Sequence, residues 1–100
     1  MFKHIVMWKM KEKAEGRSKL DNIKEMKKRI LQLPSQIKQI EIYEVGIDEL
    51  QGPTSSDICL ISAFNSKEDF QIYRDHPKHR QVVEFINKIT SSRTVIDYQS

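Results

Sequence analysis

Two stretches of this chain alternate at period two yet are apolar on both sides of the alternation. Across residues 2–11, Phe2, His4, Val6, Trp8 and Met10 share one side, and Ile5 and Met7 occupy the middle of the other. Across residues 57–64, Ile58, Leu60 and Phe64 fall on one side and Cys59, Ile61 and Ala63 on the other. A strand with one face in water reads as clean apolar/polar alternation. Strands apolar on both faces belong at the centre of a sheet that is covered twice. A chain of 100 residues is expected to form one domain, residues 1–100, and its helices can cover only one side of such a sheet. The second cover has to come from elsewhere.

The remaining elements follow in order. Residues 11–17 are a polar loop. Residues 18–33 are predicted to be a helix, capped by Ser18 with Asp21 three positions on, and carrying Leu20, Ile23, Met26, Ile30, Leu31 and Leu33 at helical spacing. Pro34 ends it. Residues 37–45 read as a strand, with Ile40, Ile42 and Glu44 opposed to Glu41, Tyr43 and Val45. Residues 46–56 form the longest loop, a candidate lid or oligomer contact. Ser66 and Asp69 open a second helix that ends at His76, a third runs from Pro77 to about residue 90, and residues 93–98 are the last strand. Strand, helix, strand, strand, broken helix, strand is the split βαβ arrangement. The fold class is therefore α+β, ferredoxin-like βαββαβ with a four-stranded antiparallel sheet. With the helices on one face, Ile5, Met7, Cys59 and Ile61 lie open on the other. The simplest closure is a homodimer through the sheet face opposite the helices, giving a dimeric α/β barrel.

Composition removes several classes of function. The net charge of +3 is mild, and no aromatic platform accompanies the lysines of the first helix, so no nucleic-acid partner is expected. No segment approaches the roughly 20 apolar residues that span a bilayer, so no membrane partner is expected either. The single cysteine, Cys59, rules out an intrachain disulfide and suits a reducing compartment; a cytoplasmic location is expected. There is no glycine-rich phosphate loop, no Ser-His-Asp set and no Cys-x-x-Cys, and no cofactor is expected. His76 and His79 are three apart, but the intervening proline spoils a helical ligand pair, so no metal is expected.

The polar residues that remain converge on residues 70–79. Pro77 lacks an N–H and suits the first position of a new helix, while His76 before it is biased away from helical geometry. The break therefore presents Tyr73, His76 and His79 together. With that turn, the opening His4-Ile5-Val6-Met7-Trp8-Lys9, the segment Asp57–Phe64 and the ending Val95-Ile96-Asp97-Tyr98, the chain resembles the stress-responsive dimeric α/β-barrel (Dabb) family over nearly its whole length. The resemblance implies a homodimeric barrel but no single activity. A plant branch of the family cyclises polyketides, related barrels degrade haem or oxidise aromatic compounds, and another branch forms stable stress-associated oligomers.

In the cyclase branch a histidine of the turn acts as general base and a preceding tyrosine polarises the substrate. By position these match His79 and Tyr73, with His4 able to meet them across a pocket as an orienting group. The candidate ligand-binding set is His4, Val6, Trp8, Leu60, Phe64, Tyr73, His76 and His79, with the aliphatic and aromatic members as apolar walls. Two functions follow: a dimeric module holding a small apolar or aromatic molecule between sheet and helices, or a polyketide-cyclase-like or cofactor-free oxygenase enzyme with His79 as base and Tyr73 as donor. Against both stands a structural reading, with His76 capping a helix end and Tyr73, His79, His4 and Trp8 as satisfied core groups. An open pocket joining His4, Tyr73 and His79 would separate the readings from an interior packed shut by Trp8 and Phe64.

Overall fold

The alternation at the start of the chain becomes β1, Phe2–Met10, in a computed structural model that describes residues 1–100. A short hairpin follows, β2 (Lys13–Ala14) and β3 (Arg17–Ser18), where the sequence suggested a polar loop. Its two-residue turn, Glu15-Gly16, has φ of 52° and 73°, the left-handed pair that matches strand twist and that glycine supplies without a Cβ penalty. Helix α1 spans Lys19–Leu31, its N-terminus closed by Ser18 Oγ accepting from the Asp21 N–H at 3.2 Å.

Strand β4 covers Ile42–Ile47, β5 Ile58–Phe64, α2 Lys67–Asp75, α3 Pro77–Ile89 and β6 Thr90–Gln99. The sheet order is β4-β5-β1-β6, all antiparallel, so the two strands with apolar residues on both sides are the central pair. This is the ferredoxin-like α+β fold, with the helices against one face of the sheet. No helix is long and apolar enough to cross a membrane.

Several expected boundaries move. Residues 37–41 do not start β4. After a 3-10 turn at Leu33–Ser35, the fully buried Ile37 instead plugs the end of the core. Strand β6 is longer than expected because β1 offers pairing partners from Phe2 to Met10. In α1 the buried stripe is Ile23, Met26 and Ile30, while Leu20 and Leu31 face solvent, since one helix face of that width is all the sheet can accept.

The core has two parts. The larger joins Val6, Trp8, Met10, Ile58 and Leu60 from the sheet to Ile23, Met26, Ile30, Phe85, Ile86 and Ile89 from α1 and α3. The smaller, near the helix break, holds Leu33, Ile37, Phe64, Phe70 and Tyr73. Asp57 ties the end of the long loop to this scaffold: its carboxylate accepts from the Met10 N–H at 2.7 Å and pairs with Lys19 at 3.2 Å. The sheet's other face is apolar and uncovered in the single chain, with Met7 42% and Ile96 58% exposed and Ile61 beside them.

Candidate functional site

Between the two parts of the core lies a cavity of about 390 Å³ that opens between the sheet and the helices. Sheet residues His4, Val6, Trp8, Tyr43, Leu60 and Arg93 form its floor. Ile30 and Leu33 close one side, and Tyr73, Arg74, His79, Arg80, Val83 and Ile86 come from the broken helix. Of the residues proposed from the sequence, His4, Val6, Trp8, Leu60, Tyr73 and His79 are thus brought to one space. Trp8 lines the cavity and does not fill it.

Phe64 and His76 are placed elsewhere. Phe64 is fully buried in the smaller core, its ring 4.9 Å from Tyr73 and 5.5 Å from Phe70, because three aromatic side chains close the sheet against α2 there. His76 sits at the break itself. Its backbone N–H closes α2 on the Tyr73 carbonyl, and its Nδ1 accepts from the Lys78 N–H at 3.1 Å, capping the start of α3. The helix end that His76 caps is thus the start of α3, an imidazole lone pair facing an N-terminus. None of residues 48–56 reaches the cavity, so the long loop is not its lid.

The break also sets the geometry of His79. Residue His76 is extended (φ −66°, ψ 134°) and Pro77 starts α3, which turns His79 back over the end of α2. The His79 ring lies 4.3 Å from the Tyr73 ring, tilted by 44°. Its Nδ1–H donates to the Arg74 carbonyl at 2.9 Å, which fixes the neutral tautomer with the lone pair on Nε2. Burial pulls the His79 pKa below its ordinary value; the Arg74 bond opposes this, and His4, Arg93 and His76 reinforce it.

His4, buried on the inner face of β1, donates its Nδ1–H to the Asp97 carboxylate across the β1–β6 pair. Its pKa is also lowered, chiefly by burial, against the pull of Asp97. The orienting partner of His79 is therefore a backbone carbonyl rather than His4. The Tyr73 hydroxyl meets that of Tyr43 at 2.7 Å. Burial pushes the Tyr73 pKa up to about 12 and drives that of Tyr43 far above the ordinary phenol value. Both tyrosines are neutral donors, and when Tyr43 donates to Tyr73, the Tyr73 O–H is free for another acceptor.

Tyr43, Asp97 and Arg93 were not singled out from the sequence. Each sits on a strand at a position whose inward face follows from period two: Tyr43 beside Val45, and Arg93 and Asp97 flanking Val95. No three His, Cys, Asp or Glu side chains converge as a metal-holding set.

A ferredoxin-like α+β sheet with a cavity under a helix broken at a His-Pro pair defines the class. Within it, the chain belongs to the stress responsive A/B barrel domain family, whose pattern matches residues 2–100. No curated protein matches it. Among solved structures it is similar to a dimeric protein of unknown function with a ferredoxin-like fold from Bacteroides fragilis, at 30% identity, covering 99% of this chain and 95% of that one, with a TM-score of 0.85. A dimeric ferredoxin-like protein of unknown function from Thermobifida fusca is 20% identical over 97% of this chain and 88% of its own, at a TM-score of 0.83. A hydroxynitrile lyase from Passiflora edulis is 17% identical over 97% and 90%, at a TM-score of 0.80. At such identities the last two speak for the fold alone.

Proposed function

We propose that the protein is a homodimeric α/β-barrel module, working in the cytoplasm, that binds a small apolar or aromatic molecule between sheet and helices. The observation that carries this is the cavity of about 390 Å³, with mostly apolar walls and His4, Tyr73 and His79 convergent on it. That size and mixture suit a small ligand. The dimeric state of the similar proteins from Bacteroides fragilis and Thermobifida fusca supports the homodimer, and the uncovered sheet face supplies a surface for it.

The test is a cavity-filling variant. Trp8 is the only tryptophan, so its fluorescence reports on the cavity without ambiguity of source. A panel of aromatic compounds screened by Trp8 emission should contain binders for the wild type. Val83→Phe, at a half-buried wall position, should weaken those binders by about ten-fold or more, since a phenyl ring then occupies their space. Absence of any binder, or binding untouched by Val83→Phe, would overturn the reading.

A second reading is favoured by the tautomer of His79. The Arg74 carbonyl leaves Nε2 as a neutral base beside the Tyr73 ring, and the lowered proton affinity keeps it unprotonated near neutral pH. In this reading, a polyketide-cyclase-like or cofactor-free oxygenase enzyme, His79 removes a proton from a bound acid and the Tyr73 O–H stabilises the resulting oxyanion. The hydroxynitrile lyase among the similar folds shows that this architecture hosts an enzyme. His79→Ala with unchanged turnover of an identified substrate would remove His79 from that role.

A further inference from the structure

The walls of the cavity contain three arginines, Arg74, Arg80 and Arg93, and no aspartate or glutamate. Arg74 and Arg80 have a counter-charge nearby: both reach Asp75, at 3.2 and 3.9 Å. Arg93 has none. It makes no ion pair and no side-chain hydrogen bond within the chain; it lines the cavity from the inner side of β6, directly across from Trp8, and is exposed to solvent there. Arg93 thus brings to the cavity wall a positive charge with which no carboxylate of the chain pairs.

We infer that the cavity selects organic anions: a small aromatic or aliphatic carboxylic acid whose carboxylate pairs with Arg93 while its apolar body lies against Val6, Leu60 and Ile86. A guanidinium beside apolar walls is well suited to a carboxylate, because its planar fork matches both oxygens. The field of Arg93 already reaches the other polar groups of the site, disfavouring positive charge on His4 and His79 and favouring negative charge at Tyr73. The same field would hold a bound carboxylate, or an enolate formed from it. The inference rests on the ligand-binding reading above and narrows it to one charge class.

The test uses a matched pair, 2-naphthoate and the uncharged 2-naphthamide. Both are titrated into the intact protein while the single indole N–H resonance, that of Trp8, is followed by NMR. Naphthoate should bind about ten-fold or more tightly than the amide, the usual gain from a charge-assisted pair. In Arg93→Gln that ratio should collapse towards one, and Arg93→Lys should recover part of it. Equal affinities in the wild type would overturn charge selection and leave the cavity reading standing. A preference that survives in Arg93→Gln would remove Arg93 from the assignment. Arg93→Gln that lost the dimer mass would place Arg93 in the subunit contact and overturn the proposal. If neither compound moved the Trp8 resonance while other members of the aromatic panel did, this inference would fall and the binding reading would stand; if nothing in the panel bound, both would fall.

Discussion

The Tyr43 and Tyr73 hydroxyl oxygens lie 2.7 Å apart, so one hydrogen bond joins the edge strand β4 to helix α2 at the wall of the cavity. Tyr43→Phe removes one partner and leaves the buried Tyr73 oxygen to the cavity. The expected cost is about 1 kcal/mol, the usual price of a broken buried hydrogen bond that water can partly replace. Tyr43→Phe with Tyr73→Phe should cost clearly less than the sum of the two single changes, because the second removal strands no polar group. Urea unfolding of the four proteins measures this. Strict additivity would show that the pair is not coupled in solution.

His4 and His79 both hold their protons less tightly in the folded chain than in the unfolded one, through burial. Below the ordinary histidine value of 6.5 the unfolded chain therefore binds more protons than the folded one. Their contribution to stability is fully present above that pH and is lost as the pH falls towards the lowered folded values. The melting temperature should drop between about pH 7 and pH 5, on top of any change from carboxylates at lower pH. His79→Gln, which keeps a donor for the Arg74 carbonyl, should flatten the slope. A wild-type melting temperature level across this window would contradict burial of the two rings.

The fold was legible because period two does most of the work. Val6, Trp8 and Leu60 on one side and Met7 and Ile61 on the other announce a central pair of strands with a second surface to cover, and the break at His76-Pro77 needs only the chemistry of proline. The site was legible in part. Period two placed His4, Val6 and Trp8 inward together, but it could not say that Phe64, on the same side of its strand, would meet Phe70 and Tyr73 in a closed aromatic cluster. Nor could it pair His4 with Asp97, since the β1–β6 register that sets them opposite each other is fixed by tertiary contacts 93 residues apart in sequence. The Glu15-Gly16 hairpin was missed for a simpler reason: its strands are two residues long and carry no apolar pattern.

The placement of Phe64 separates a core role from a binding one. Phe64→Ala should destabilise the chain by about 3–5 kcal/mol, the range for a large buried ring. Phe64→Leu should cost only about 1 kcal/mol and leave the affinity for 2-naphthoate unchanged, because the ring is not part of the cavity wall. A marked loss of affinity in Phe64→Leu, at preserved stability, would return this residue to the binding surface.

The uncovered sheet face yields the last expectation. Ile5, Met7, Cys59, Ile61 and Ile96 form a contiguous apolar strip across the central strands and β6, away from every helix. Water against such a strip is unfavourable, and a second copy of the same sheet is complementary to it under a two-fold axis. The wild type should therefore scatter light with twice the chain mass at micromolar concentration. Met7→Glu and Ile61→Glu each place a carboxylate where two sheets would meet, and two-fold symmetry doubles every such charge across the contact. Both variants should keep the fold by circular dichroism, since neither side chain enters the inner core, and should run as monomers. A dimer that survives both changes would move the contact off this face, to an edge strand or the helical side.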